Sequence, residues 1–514
     1  ASTYYISPTG SDSTGDGSFS NPWATFSQGI SVLTPGDTLK ALTGTYTERV
    51  LVPSTTNGTS SNYITIMENP GDEVKICHSQ AQIVRIKGTY INFMGFEIYD
   101  LSTNEDELQG VLVQDIAHHI LLSELMVHDF DGHGIDIHGD DVIVENCTIY
   151  DGVLVNENNA SGSSGWSSAL KVSYDCTNTV LRNNTIYNNW GEGIAVTRGS
   201  DIQVYDNTVY DNFSVNIYID NSFNVDVFRN YAYNTENPLG GDKVAGISTS
   251  EEYYSGWGNH LENVVIKNNI VYNCKRGFAF YGTDSGTGGM KNVVVINNVF
   301  FLNDNTSSVI YIKREPEDSM FFYNNIIRTN PDNTKMVFWT SDNVGTLNFD
   351  YNFWVNGQAR YWNDNTDDWD YSPSGPHDIS LTDPLFVGDP GNQPYNYVPE
   401  EFKLQSNSPA IDAGIDTLLI SDYEINPRPL NYTFDMGAYE YGKYWNGNED
   451  NLWSNQNNWN DLTIPSSSSE VNIPSPSFYE YHPVLSSSQT IKQLYLDENA
   501  FLELNNNSVL NIIE

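Results

Sequence analysis

The sequence is poor in basic residues and in cysteine. It has 23 Lys and Arg against 66 Asp and Glu, which gives a formal net charge of −43 in 514 residues. Because a surface of this sign repels phosphate backbones, the composition argues against nucleic acid as a partner. The four cysteines have neither the spacing of a disulfide framework nor that of a metal site.

Long apolar runs are missing as well. No stretch of 18 apolar residues occurs, so we expect no membrane span. The first residues, ASTYYISPTGSD, contain neither the charged nor the apolar part of a signal peptide. The acidic surface suits a saline or marine setting, where salt screens charge, or an ordinary acidic secreted protein. We expect a secreted or cell-surface monomer, with the signal peptide absent from this chain.

What the sequence does have is a repeat. Runs such as NNTIYNN, DNTVYDN and NNIVYNC recur in register at Asn184, Asn207, Asn230, Asn269, Asn298, Asn325 and Asn352, at separations of 23, 23, 39, 29, 27 and 27 residues. A unit this short, with alternating apolar and polar residues, indicates a solenoid of stacked strands. We therefore predict an all-β parallel β-helix in which Asn side chains of successive coils hydrogen-bond one another. Cys147 falls at the same position one coil earlier, so we expect it to be a small packed residue.

The two ends of this repeat resemble known proteins. The opening segment containing WATFSQGI, and the later phrases DPLFVGDPGNQPYNYVPEEFKLQSNSPAIDAGI and INPRPLNYTFDMGAYEYG, are similar to the start and the close of secreted right-handed parallel β-helix proteins of the pectin-lyase-like superfamily. The resemblance implies a short helix at WATFSQGI that caps the open end of the solenoid. It does not single out an activity, because the superfamily contains lyases, hydrolases, epimerases and non-enzymes.

The resemblance also gives the predicted bounds of the domains. Residues 1–442 should form the catalytic β-helix. The character of the sequence changes after Gly442. Residues 443–514 should form a small C-terminal β module that belongs to a longer tail.

One set of strands carries the candidate catalytic residues. In the segments GIDIHGD, ALKVSYD, GIAVTRG and NIYIDNS the second and fourth residues are apolar and should point inward, so the third and fifth should point outward. Asp136, Lys171 and Asp220 then share one exposed surface with Glu192, which precedes the third segment. We predict that these four residues are catalytic, since a lysine among carboxylates is unusual in so acidic a chain.

A second group of residues is predicted to bind the substrate. Its members are His133, His138, Arg198, Trp190, Tyr218, Trp166 and Trp257. The basic members suit an anionic ligand, and flat aromatic faces stack on sugar rings. Insertions at 152–168, 234–245, 251–262 and 282–291 leave the solenoid beside these strands and should wall a groove, which suits a polymer.

Two chemistries are open to these residues. Hydrolysis of a glycosidic bond needs a carboxylic acid and a second carboxylate, and Glu192 as acid with Asp136 or Asp220 as base would supply them. A lyase needs a base beside a uronate carboxyl group and a cation that neutralises it, for which Lys171 and Arg198 are the candidates.

Neither chemistry matches a known motif in full. The arrangement loosely resembles the chondroitinase B and alginate lyase family, with Lys and Arg on neighbouring coils, but that family's paired acidic calcium ligands are absent at the matching place, where the strand reads GWSSA. The galacturonan hydrolase family is similar only at Gly132-His133-Gly134 and Asp140-Asp141, which occur in the reverse of its order. A uronan epimerase would share the lyase residues.

We predict a secreted, endo-acting glycoside hydrolase that cleaves an anionic and sulfated polysaccharide, such as fucoidan or carrageenan. A lyase acting on a uronic-acid polymer is the first alternative, and a non-catalytic glycan-binding solenoid is the second. The hydrolase needs no cofactor; calcium stays open, and the sequence identifies no metal ligands.

Overall fold

The protein is described by a computed structural model that covers residues 1–79, 82–101, 109–160, 167–173, 175–252, 261–281, 290–302, 308–312, 318–328, 337–339, 347–355, 360–363, 368–371, 375–381, 383–388, 398–505 and 507–513. Within these residues the chain winds through three long parallel sheets in a fixed order. We call them sheet 1, sheet 2 and sheet 3. The architecture is a right-handed parallel β-helix, which confirms the predicted fold class.

The described strands of the three sheets stack coil upon coil. Sheet 1 consists of Thr3–Ile6, Thr38–Ala41, Ile64–Glu68, Ile91–Met94, His118–Ser123, Asp140–Glu145, Thr177–Arg182, Ser200–Tyr205, Phe223–Phe228, Glu262–Lys267, Lys291–Ile296, Met320–Tyr323 and Leu347–Asp350. Sheet 2 consists of Gly44–Thr47, Val74–His78, Glu97–Asp100, Met126–His128, Thr148–Tyr150, Thr185–Tyr187, Thr208–Tyr210, Tyr231–Tyr233, Ile270–Tyr272, Val299–Phe301, Ile326–Arg328, Phe353–Val355 and Ile379–Leu381. Sheet 3 consists of Val50–Val52, Val84–Ile86, Val111–Val113, Ile135–Ile137, Ser168–Val172, Glu192–Thr197, Ile217–Asp220, Ala245–Ser250, Arg276–Phe280, Ile310–Ile312 and Val337–Trp339.

Alternate residues of these strands fill the tube. Ile194, Val196, Ile217 and Ile219 of sheet 3 are fully buried and belong to one continuous apolar core that runs from Ile6 to Trp354. Burial of this core is the main favourable contribution to folding, since it removes a large apolar area from water.

The predicted Asn ladder lies at the corner between sheets 1 and 2. It runs without a break through Asn184, Asn207, Asn230, Asn269, Asn298, Asn325 and Asn352. Oδ1 of Asn207 accepts both the backbone N–H and the side-chain amide of Asn184, each at 3.0 Å. Cys147 occupies the preceding position as predicted: it is buried, and its N–H donates to Oδ1 of Asn184 at 3.0 Å. The ladder thus satisfies corner groups that the strands leave unpaired.

A short helix covers the N-terminal end of the solenoid, and a later segment covers part of its side. The predicted cap is helix Phe26–Ser31, which begins where Oγ1 of Thr25 accepts the N–H of Gln28 at 3.1 Å. The later segment returns along the outer side of sheet 2, where Phe386 and Phe402 pack against Tyr272 and Phe301. No helix in the described part of the chain has the length and apolar character needed to cross a membrane.

The remaining elements are short. Arg360–Asn363 pairs with Asp368–Tyr371 as an antiparallel hairpin. After residue 442, small parallel sheets form from Lys443–Tyr444, Glu470–Ile473 and Gln493–Leu496, from Val484–Leu485 and Glu503–Leu504, and from Gln489–Ile491 and Leu510–Ile512. The described 3₁₀ helices are Leu154–Asn159, Leu239–Gly241, Pro399–Phe402, Gln456–Asn458 and Pro476–Phe478. The division of the chain at residue 442 stays a prediction.

Candidate functional site

The four predicted catalytic residues lie on the outward face of sheet 3. Asp136 is paired in register with Lys171, and Lys171 with Ala195. Asp220 lies one strand further on, opposite Thr197. Strand alternation therefore places these side chains on the outward side of the sheet, as predicted, but Asp136 and Asp220 are buried there and not exposed.

Glu192 reaches the same face through a kink. Ile194 is fully buried, and a Cβ atom on Gly193 would lie 2.5 Å from Cγ1 of Val209, so both residues face the interior. Two successive inward residues reverse the alternation, which turns Glu192 outward. Glycine is required here because no side chain fits where the two backbones approach.

A cleft of about 910 Å³ lies over this face and crosses five successive strands, from Ser168–Val172 to Arg276–Phe280. It is lined by Ser168, Lys171, Glu192, Ala195, Thr197, Phe213, Ser214, Val215, Tyr218, Asp220, Leu239, Gly240, Asp242, Lys243, Val244, Ala245, Glu252, Lys275 and Tyr281. The insertion at 234–245 forms part of its wall, as predicted. The middle parts of the insertions at 152–168, 251–262 and 282–291 lie outside the described residues.

Lys171 is an unpaired cation on the floor of the cleft. Its ammonium group forms no hydrogen bond and no ion pair with any described residue. Basic side chains elsewhere are commonly paired, such as Lys267 with Asp226 and Arg229 with Asp206, each at 2.7 Å. Lys171 is therefore available to a ligand.

Asp136 is a buried carboxylate beside Lys171. It is only 3% exposed and does not line the cleft, so the expectation that it lies on an exposed wall is corrected. Its Oδ2 accepts hydrogen bonds from Nε2 of His138 at 2.9 Å and from Gln109 at 3.3 Å, and Oδ1 accepts one from Ser173 at 3.3 Å. Burial acts to raise its pKa, but the His138 bond and the nearby basic groups outweigh it, and the pKa is held below its ordinary value.

His133 supports Glu192 through one intervening residue. The N–H of Ser168 donates to Nδ1 of His133 at 2.9 Å, and Oγ of Ser168 donates to Oε2 of Glu192 at 3.0 Å. Burial lowers the pKa of His133 to about 4, and the charge of Lys171 acts in the same direction. His133 is therefore a neutral imidazole that fixes Ser168; it does not line the cleft.

The surroundings of Asp220 raise its pKa, whereas those of Asp136 lower it. Asp220 is 1% exposed, and its Oδ1 accepts the N–H of Glu252 and the side-chain amide of Asn221, each at 3.0 Å. Burial raises its pKa well above the ordinary value, and the negative charges of Glu252 and Glu251 add to the effect. The protonated carboxyl group is favoured at this position.

The remaining predicted binding residues are placed as follows. Tyr218 lines the cleft. Trp190 packs beside Phe213, with 5.4 Å between the ring centroids, and stands behind the wall. Arg198 sits at a turn with φ of 59° and pairs with Asp175, which keeps it away from the cleft. Trp166 and Trp257 lie outside the described residues.

Several cleft residues were missed by the sequence reasoning, chiefly Lys243, Lys275 and Glu252. Lys243 and Lys275 shortly precede strands of sheet 3, near the position that Glu192 holds two and three strands earlier. The scarcity of lysine in the chain was the signal that could have identified them. Among the described residues no three His, Cys, Asp or Glu side chains are grouped so that they could hold a metal ion.

Comparison with known proteins agrees with this architecture. Residues 4–193 match the family model described as the Pel9A-like, right handed beta helix region. The protein is thus a right-handed parallel β-helix protein, and the predicted resemblance to pectin-lyase-like solenoids is confirmed. More particularly, its N-terminal coils, including Asp136, Lys171 and Glu192, are similar to the Pel9A-like region. A comparison with curated protein sequences finds no match.

Solved structures share the fold at low sequence identity. The complex of XylC with xylose is 13% identical with a TM-score of 0.54, and the alignment covers 86% of this chain and 99% of that one. A rhamnogalacturonan lyase is 15% identical, with a TM-score of 0.49 and coverage of 60% and 84%. Pectate lyase Pel9A is 17% identical, with a TM-score of 0.48 and coverage of 86% and 96%. At 13% identity the likeness to XylC shows the fold alone.

Proposed function

We propose that the cleft over sheet 3 binds an anionic polysaccharide and cleaves it by β-elimination, with Lys171 as the base. The observation that carries the proposal is the ammonium group of Lys171 on the cleft floor, which has no partner among the described residues and lies next to the buried carboxylate of Asp136. A lysine acts as a base after losing its proton, and it then removes the proton beside a uronate carboxyl group.

The shape and charge of the cleft support a polymeric, acidic substrate. The cleft is an open groove over five strands, and Lys171, Lys243 and Lys275 all line it although the chain has only 23 Lys and Arg. Glu192, Asp220, Asp242 and Glu252 line the same groove, so the support comes from the spacing of the three lysines, each of which can meet one negative charge of a polymer. The names of similar proteins point the same way, since they include a pectate lyase and a rhamnogalacturonan lyase.

Hydrolysis, which the sequence analysis preferred, is the second candidate. In the register of sheet 3, Asp220 lies opposite Thr197 and five positions along from Glu192. At about 3.3 Å per residue their Cα atoms are about 16 Å apart, which is wide for the carboxyl separations of about 5–9.5 Å that glycosidases use.

A different pair of carboxyl groups, Asp220 and Glu252, could serve a hydrolase. Asp220 is tied through its Oδ1 to the backbone of Glu252, and both residues line the cleft. The raised pKa of Asp220 suits a proton donor, and Glu252 would then serve as the base.

A substrate panel separates the two reactions. Polygalacturonate, alginate, carrageenan and fucoidan would be incubated with the protein, with and without a chelator. Ultraviolet absorbance from unsaturated uronate ends supports elimination, and reducing ends without that absorbance support hydrolysis. If no polymer is cleaved under either condition, the proposed activity fails. Loss of activity with the chelator alone would show that calcium is needed.

A further inference from the structure

The end of the cleft remote from Lys171 holds a pair of cations, Lys243 and Lys275. Lys275 is exposed just before strand Arg276–Phe280, and its backbone N–H donates to the carbonyl oxygen of Val244 at 2.8 Å. This bond joins it to the loop of Lys243, whose Nζ donates to Oδ1 of Asn273 at 2.6 Å. The side chain of Lys275 forms no hydrogen bond or ion pair with any described residue.

This pair is far from Lys171. The strand that carries Lys171 and the strand that follows Lys275 are separated by four steps in sheet 3. At about 4.8 Å per step the separation along the solenoid axis is about 19 Å. A single small anion cannot contact both ends, whereas a chain that lies along the axis can.

A fixed aromatic ring lies at the opposite end of the strand that follows Lys275. Tyr281 lines the cleft, and its hydroxyl accepts a hydrogen bond from Nη1 of Arg276 at 2.8 Å. The Arg276 guanidinium in turn lies 3.6 Å from the centroid of the Tyr311 ring. A ring held in this way offers a stacking surface to a sugar in the same cleft, six residues along the chain from Lys275.

We propose that Lys275 and Lys243 form a distal anion subsite for a carboxylate or sulfate ester on a sugar remote from the bond that is cleaved. The ligand is then a polyanionic chain that lies along the solenoid axis and spans about 19 Å of it. This inference rests on the proposed function and extends it from the reacting sugar to the rest of the substrate.

Binding measurements test the subsite without relying on catalysis. The probes are polygalacturonate and carrageenan, each as a long chain and as a disaccharide, titrated calorimetrically into wild type and into Lys243→Gln/Lys275→Gln. The control is Lys87→Gln, which removes a lysine that does not line the cleft and that directly follows a sheet 3 strand near the N-terminal end. We expect the double variant to weaken binding of at least one long polymer about tenfold or more and to leave disaccharide binding unchanged. The polymer that responds identifies the carboxylate or the sulfate ester as the bound group.

The outcomes separate this inference from the proposed activity. Lysine-dependent binding of a long polymer by a protein that cleaves nothing would retain the subsite and remove the proposed function. Equal affinities of wild type and double variant for both polymers would overturn the subsite even if the protein is a lyase. An equal loss for long and short ligands, or no binding of either polymer to wild type, would also overturn it.

Discussion

At the scale of single residues, Asp136 and Asp220 are both buried, but their surroundings shift their pKa values in opposite directions. Asp136 accepts a hydrogen bond from His138 and lies next to Lys171, and its pKa is held low. Asp220 lies near Glu251 and Glu252, and burial raises its pKa. The ionised form is therefore favoured for Asp136 and the protonated form for Asp220.

Replacing Lys171 tests its role as the base. Lys171→Ala should lower kcat about 10²-fold or more, because the group that takes the proton is lost. Lys171→Arg should be equally inactive and still bind substrate, since arginine keeps the charge but does not lose its proton. Initial rates and KM would be measured beside Lys87→Ala, which should match wild type. Substantial turnover by Lys171→Arg would contradict the assignment.

The buried His133 should make the fold sensitive to acid. Its pKa is lowered to about 4, so the neutral form is stabilised in the folded state; this contribution is complete above about pH 6.5 and is lost as pH falls toward 4. The loss approaches about 3 kcal/mol at 1.36 kcal/mol per pKa unit. His133→Gln should lose correspondingly less unfolding free energy between pH 7 and pH 4 in urea titrations. Identical pH dependence in both proteins would refute this.

At the scale of the strand and the corner, side-chain ladders hold the coils in register. In the Asn ladder each carboxamide satisfies backbone groups of neighbouring coils that would otherwise be buried without partners. At the start of strand Glu192–Thr197, Gly193 and Ile194 both face the interior, and this break in the alternation turns Glu192 toward the cleft.

Removing one step of the ladder should be costly. Asn207→Ala leaves the N–H of Asn184 and the carbonyl oxygen of Leu181 without partners in the core, which should lower the free energy of unfolding by about 2–4 kcal/mol. Gln203→Ala, at an exposed position of the same coil, should change it by less than about 0.5 kcal/mol. Urea unfolding followed by circular dichroism measures both. Equal effects would show that the ladder is not a stabilising element.

These elements also show what the sequence could predict. The repeat of Asn and the alternation of Ile and Val determine the solenoid, its corners and the outward placement of Lys171 and Asp220. The alternation could not predict which outward side chains are buried. Asp136, for example, is covered by residues distant in sequence, among them Gln109 and Ser173. The predicted position of Arg198 in the cleft was wrong for another reason: a local turn directs its side chain to Asp175.

At the scale of the whole molecule, a returning segment covers the outer side of sheet 2. Phe402 is 1% exposed and packs against Phe301 and Phe386 on the outer side of sheet 2. Near it, the guanidinium of Arg428 lies 3.1 Å from Glu440 with both side chains fully buried. The segment that contains these residues thus shields the outer face of the last coils from water.

Loosening this segment should destabilise the protein. Phe402→Ala removes a fully packed ring and should cost about 3–5 kcal/mol. Phe501→Ala, at a ring that is 50% exposed, should cost less than about 1 kcal/mol. Thermal unfolding followed by calorimetry compares the two variants. A smaller effect of Phe402→Ala than of Phe501→Ala would contradict the packing role of the returning segment.

The most direct test of the account is a crystal structure of Lys171→Ala soaked with a long anionic oligosaccharide. The account predicts a chain that lies along the solenoid axis over sheet 3, with one sugar beside residue 171 and an acidic group at Lys275. A chain bound elsewhere, for example in the groove on sheet 1 lined by Asn178, Gln203 and Asn263, would contradict it.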